Sequence, residues 1–384
     1  MKPIVKTIDS QPSWIIRTPQ VELAVTQLGG QLAPVTFCRD TSGPVQPYWI
    51  SPWQNDKRKI DVPVLVPLRG DFFCLPFGGN GTAFKGQKHT VHGETASARW
   101  SLAGLEKAGA ATTLTLTLRP RVCPGKVTKT LTLVEGSNAI YQCDLLEEFG
   151  PCAMPLGHHA TLALPAAPRA LQISTSAYRF GMTCPVPFSI PAEGGYQALA
   201  VNARFASLSR VPTLWKDPAY ADLTALPDRL GFTDLAAVFH KPTPEPAWTT
   251  AVNTEAAYLW FSLKDPAVLP AMTMWMSNGG RHAAPWDGHD HCLGLEDGCG
   301  YFAEGLAESA RPNALTRAGV PTAIKLSPRR ATAIRYIQGA LRTPRGFDRV
   351  AGVAFAPGQV TFTAASGKKV SAAVAHEFLK SGRV

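Results

Sequence analysis

The chain reads as all-β and antiparallel on three observations. Polar and apolar residues alternate with period two at 113–118, TLTLTL, and at 127–133, VTKTLTL, the pattern of strands with one buried face. Turn formers abound, with 33 Gly and 33 Pro in 384 residues, while charged residues reach only 17%. Helical periodicity is scarce: the best stretch, 371–379, is short and suits a strand equally well.

Taken along the chain, the strands at 113–118 and 127–133 are joined by the turn RPRVCPG at 119–125. After EGSN at 135–138 a third strand follows at 139–146, so the three form an antiparallel meander. Strand text recurs at 21–26, 170–174, 257–263, 271–276, 331–338 and 359–363, and the Pro-rich segments 211–230 and 240–248 are expected as long surface loops. There is no low-complexity linker, composition shift or repeat of 20 to 50 residues, so one domain over 1–384 is expected.

Composition also removes whole classes of function. The net charge is +10, but Lys and Arg are scattered, without a basic run interleaved with aromatics, which argues against nucleic acid. No apolar run reaches the roughly 18 residues of a membrane-spanning helix. The start MKPIVKTIDSQPSW lacks the apolar centre of a signal peptide, so a cytoplasmic, soluble monomer or homodimer is expected. Eight cysteines, at 38, 74, 123, 143, 152, 184, 292 and 299, include no C-x-x-C pair and lie mostly in apolar strand text, where buried free thiols are expected.

Four polar sites sit in apolar or glycine-rich text: Arg69 in PLRGDFFCLPFGG (67–79), His92 in VHGETASARW (91–100), His158 and His159 in PLGHHATLAL (155–164), and Glu296 in CLGLEDG (292–298). A carboxylate at the end of an apolar strand loses water, which raises its pKa and makes it a better base near neutrality; the plain alternative is a solvated strand end. Adjacent strand residues point to opposite faces, so one of His158 and His159 looks into a given cavity while the other is structural. An imidazole and a carboxylate on opposite sides of a pocket make an acid/base pair of the kind that opens and closes a cyclic hemiacetal. The run GHDHC at 288–292 holds metal-ligand types at a spacing that suits no standard zinc pattern, and it reads better as a polar loop feeding the Glu296 strand. Cys74 or Cys152 as a nucleophile is disfavoured by apolar flanks, which raise a thiol's pKa.

The order of these pieces resembles the galactose mutarotase-like superfamily, the aldose 1-epimerases and hexose-phosphate epimerases. RGDFFCLPFG (69–78) resembles the family's Arg-Gly-Gly-Ile-Pro-type segment ending in Phe-Gly, and VHGETASARW its His-Gly segment with a tryptophan eight residues on. GHHA (157–160) resembles the segment of the catalytic histidine, GFTD (231–234) that of a sugar-binding aspartate, and LGLE (293–296) the strand of the catalytic glutamate. The resemblance implies a large antiparallel β-sandwich with an open cleft for a sugar. It also implies cofactor-independent interconversion of anomers, with Glu296 as base and His159 as acid. Arg69, His92, His158 and Asp234 would hold sugar oxygens, and Trp275 or Trp286 would stack on the ring. Ala96 stands where the hexose-phosphate epimerases carry an arginine, four residues after His92, so an unphosphorylated sugar is expected unless Arg99 substitutes. Thr161 and Leu162 replace the usual aromatics after the histidine. Two alternatives share the fold: a carbohydrate-binding protein without catalysis, and a lyase or hydrolase acting on uronic acids.

Overall fold

The computed structural model describes residues 2–384. Two large antiparallel sheets face one another. The nine-stranded sheet runs Ala225–Leu226, Leu171–Thr175, Ala247–Asn253, Tyr258–Lys264, Thr332–Arg342, Ala139–Glu147, Lys126–Val134, Ala111–Leu118, Ser101–Ala108. The expected meander forms its last part, extended by one strand at the edge. The seven-stranded sheet runs Arg204–Phe205, Tyr178–Thr183, Phe232–His240, Ala271–Asn278, His291–Cys299, Leu156–Ala163, Phe73–Cys74. A four-stranded sheet, Ile4–Ile8 to Leu32–Thr36, and a three-stranded sheet, Val350–Ala356 to Lys369–Ala373, complete the main architecture.

Burial explains the sequence pattern strand by strand. Ala111–Leu118 keeps one half-open face and alternates cleanly, with Leu114 and Leu116 fully buried. By contrast, Tyr258–Lys264 is buried at every position and His291–Cys299 at all but the first, because both faces of their sheets are covered. Leu114, Leu116, Leu131 and Leu133 of one sheet meet Leu162, Met272, Met274, Leu293 and Leu295 of the other in the central core. A second core covers the outer face of the seven-stranded sheet with Trp49, Trp53, Leu68, Phe72, Phe77 and Phe302. The C-terminal residues Val360, Phe362, Phe378 and Leu379 cover the outer face of the nine-stranded sheet, against Val252, Leu259, Phe261 and Ile337.

Two local expectations change. The stretch 371–379 is divided between the strand Lys369–Ala373 and a short helix, Phe378–Ser381. Segment 211–230 is not wholly loop: it holds three two-residue strands, the last of which extends the edge of the nine-stranded sheet. No helix among the described residues is long and apolar enough to cross a membrane.

Candidate active site

Strands Leu156–Ala163 and His291–Cys299 lie side by side in the seven-stranded sheet, with His159 directly opposite Glu296 and His158 opposite Asp297. Side chains on a strand alternate between faces. His159 and Glu296 therefore project together from the outer face, while His158 and Asp297 project into the core. On the outer face His159 Nε2 lies 3.2 Å from Glu296 Oε1. Two residues before Glu296, on the same face, Gly294 makes room for the carboxyl: a Cβ there would lie 2.6 Å from Oε1. Burial raises the Glu296 carboxyl to about 8, opposed by Arg281, and lowers His159 to about 4. Both shifts favour the neutral forms, a protonated glutamate beside an unprotonated imidazole. The ring is oriented from its other side, where Nδ1 lies 3.1 Å from Thr161 Oγ1. With Nδ1 protonated, Nε2 is free to accept.

The pair opens onto a cavity of about 240 Å³ whose polar lining is His92, His159, Arg281 and Glu296 and whose walls are otherwise mostly apolar, including Phe72, Trp275 and Trp286. His159 stacks on Phe72 at 4.6 Å between ring centroids and meets His92 edge-on at 4.9 Å. His92 has φ 58°, a left-handed conformation uncommon for a side-chain-bearing residue, and Gly93 follows at φ 74°. Any Cβ on Gly93 would sit 2.0 Å from the Leu75 carbonyl oxygen, so the His-Gly pair is what brings the imidazole to the wall. The Gly78 amide donates to His92 Nδ1 at 3.3 Å, which leaves Nε2–H as the donor. Burial also pushes the His92 pKa well down, with His159 and Arg281 adding to the effect.

No family model and no curated protein matches the sequence, whereas solved structures match it over most of its length. A galactose mutarotase-like protein from Clostridium acetobutylicum superposes with a TM-score of 0.59 at 10% identity, over 88% of this chain and 98% of that one. A galactose mutarotase related enzyme from Lactobacillus acidophilus gives 0.53 at 10% identity, over 86% and 98%. A proposed aldose 1-epimerase from Klebsiella pneumoniae gives 0.59 at 14% identity, over 87% and 80%. The chain has the galactose mutarotase-like fold.

On this galactose mutarotase-like sandwich, five of the eight residues expected at the site reach the cavity: Glu296, His159, His92, Trp275 and Trp286. Three do not. Arg69 is buried beneath the loops, donating to the carbonyls of Ile8, Asp9 and Pro67 and to Gln54 Oε1, so its guanidinium is consumed in holding the N-terminal hairpin. His158 lies between the sheets, stacked on Tyr336 at 4.2 Å. Asp234 accepts from the Ala198 and Leu199 amides on a separate small cavity, while its neighbour Leu235 faces the site. Alternation is the reason, since Leu235 pairs with Trp275 and Asp234 with Met276.

The expected geometry of the acid/base pair also changes: the two groups sit side by side on neighbouring strands and do not oppose each other across the hollow. Arg281 is the residue that no motif indicated. It follows the strand Ala271–Asn278, and its guanidinium lies over Trp286 at 4.8 Å and Trp275 at 5.2 Å. Asp290, read as part of a polar loop, is buried and accepts from the Gly280 and Arg281 amides and from Ser277, fixing that turn. Among the described residues no group of three His, Cys, Asp or Glu is placed to hold a metal. Arg99 is turned away from the cavity, donating to Gln27.

Proposed function

We propose that this cleft is an aldose 1-epimerase site, interconverting the anomers of an unphosphorylated sugar by ring opening and closure. The observation that carries this reading is the 3.2 Å contact of His159 Nε2 with Glu296 Oε1 in a largely apolar cavity. An anomeric hydroxyl and the ring oxygen share a single carbon, so the reaction needs a proton acceptor and a proton donor side by side. Neighbouring strands supply that.

In the opening step His159 Nε2 takes the proton of the anomeric hydroxyl, the bond from the anomeric carbon to the ring oxygen breaks, and that oxygen takes the proton from Glu296. The starting protonation is thus the reverse of the sequence expectation, since the buried glutamate holds the proton and the buried imidazole is neutral. The resulting imidazolium and carboxylate face each other. After rotation about the bond beside the aldehyde carbon, the Glu296 carboxylate takes its proton back from the ring-forming hydroxyl as that oxygen bonds to the aldehyde carbon from the other face, and the His159 imidazolium protonates the aldehyde oxygen, closing the other anomer. His92 Nε2–H donates to a sugar oxygen, and Trp275 and Trp286 form part of the wall beside the ring.

Exchange NMR on a panel of aldoses, with wild type and Glu296→Gln, tests the reading. Wild type is expected to accelerate anomer exchange of at least one aldose, and the variant to lose roughly 10²- to 10⁴-fold. Equal exchange in both, or sugar binding with no catalysed exchange, would contradict it.

A further inference from the structure

The fully buried cations of this protein have acceptors, and the half-buried Arg281 in the cavity wall does not. Lys129 Nζ lies 2.8 Å from Asp144, Lys264 lies against Asp297, and Arg69 donates to three carbonyls and a glutamine. The Arg281 guanidinium has neither a hydrogen-bond acceptor nor a carboxylate within ion-pair distance among the described residues, and its contacts are the faces of Trp286, Trp275 and Phe188. Asp290 holds its main chain, not its fork. A guanidinium stays charged and presents its donors as a planar fork matched to a carboxylate. That fork faces a mostly apolar, half-buried wall with no protein acceptor among the described residues, so a ligand anion fits there.

Position and charge narrow the anion. Arg281 lines both the cavity of Glu296 and His159 and an adjoining vestibule of about 530 Å³, so its fork stands at the border between the reacting pair and the way out. The imidazoles of His92 and His159 are both held toward the neutral form. In the vestibule, Arg58 is paired with Asp56 and Asp287, and Lys59 with Asp61. Glu193 also lines the vestibule, so among the described residues Arg281 is the one cation of that lining without a carboxylate partner; a single guanidinium matches one carboxylate, and a phosphate dianion would lack its second partner.

Resting on the anomer-exchange reading above, we propose that the sugar carries a carboxylate, as in a hexuronate, with Arg281 as its bidentate partner and its anomeric carbon at Glu296 and His159.

The test compares catalysed anomer exchange of glucuronate and galacturonate with that of glucose, galactose and glucose 6-phosphate, in wild type, Arg281→Met and Arg281→Lys. A uronate is expected to exceed its neutral counterpart in kcat/KM by roughly 10- to 100-fold, the worth of a charged hydrogen-bonded pair. Arg281→Met should bring that ratio to about one, and Arg281→Lys should keep part of it. Faster exchange of neutral sugars than of uronates, or a uronate preference that survives in Arg281→Met, overturns the inference while leaving the epimerase reading intact. A preference for the 6-phosphate overturns the choice of carboxylate. If no sugar is exchanged, the epimerase reading fails instead, and calorimetry with glucuronate and glucose still decides carboxylate recognition. Glucuronate binding that Arg281→Met weakens supports it, and equal binding of the two sugars refutes it. Should Arg281→Met fail to fold, the wild-type ratio and Arg281→Lys carry the comparison.

Discussion

Residues 158 and 159, with their partners 297 and 296, set the same residue types at the same register on two faces of one sheet, and the two faces treat them in opposite ways. On the core face each group has charged or hydroxyl neighbours, although neither ring nitrogen of His158 makes a hydrogen bond among the described residues. His158 lies 3.4 Å from Asp71 and 3.8 Å from Asp144, and Asp297 contacts Lys264, Ser262 and Tyr336. Burial alone would raise Asp71, yet His158, Gln142 and Lys129 together hold it below its ordinary value. On the cavity face Glu296 has a neutral imidazole beside it and Arg281 only at longer range, so burial prevails and the carboxyl keeps its proton to about 8. Register and residue type are thus insufficient to set a buried carboxyl's protonation; the partners around it decide whether the effect of burial is offset or prevails.

Substitutions at the paired positions should separate these roles. Glu296→Gln is expected to cost roughly 10²- to 10⁴-fold in anomer exchange without lowering the urea midpoint at pH 7, because the amide matches a protonated carboxyl in shape and takes up no proton on folding. Asp297→Asn should do the reverse. It strands the buried Lys264 ammonium and should lower stability by about 3–5 kcal/mol in urea unfolding.

Next in size is a pH effect. Glu296 is raised from 4.5 to about 8, so above pH 4.5 the folded state holds a proton that the unfolded state has lost, and stability falls with pH until about 8. His159 is lowered from 6.5 to about 4, which gives the opposite slope between those values. The two cancel to about pH 6.5. From pH 6.5 to 8 stability should then fall by about 2 kcal/mol at most, at about 1.4 kcal/mol per pH unit. Urea unfolding at both pH values checks this, and Glu296→Gln should abolish the decline.

Gly294→Ala places a methyl 2.6 Å from Glu296 Oε1 and should cost about tenfold in exchange rate through a displaced carboxyl. The smallest effect belongs to Thr161→Val, which removes the partner of His159 Nδ1 and should lower the rate a few-fold, by about 1 kcal/mol. A larger loss in Thr161→Val than in Gly294→Ala would mean that imidazole orientation matters more than carboxyl placement.

Much of this was legible in the chain. Period two predicted the meander, because those strands keep one open face, and the same rule separates His158 from His159. Sequence text could not show the register that sets His159 against Glu296, since pairing is a property of two strands 137 positions apart. Arg69 misled for a related reason: its motif is present, but the carbonyls of Ile8 and Asp9 that claim the guanidinium come from a distant hairpin. Asp234 was displaced by one position, and in a strand one position is the other face. Arg281 left no mark at all because a turn carries no periodicity; Gly279 and Gly280 just before it signal only that the chain bends there. Thr161, read as a departure in the pocket wall, is what orients the His159 imidazole.

The proposed coupling of His159 and Glu296 can be tested by a double-mutant cycle on anomer exchange with Glu296→Gln, His159→Gln and the double variant. If both residues serve one proton-transfer unit, each single substitution should cost nearly as much as the pair together, within about threefold. Losses that multiply, with the double variant slower by the product of the two singles, would show that they act independently and would contradict the account.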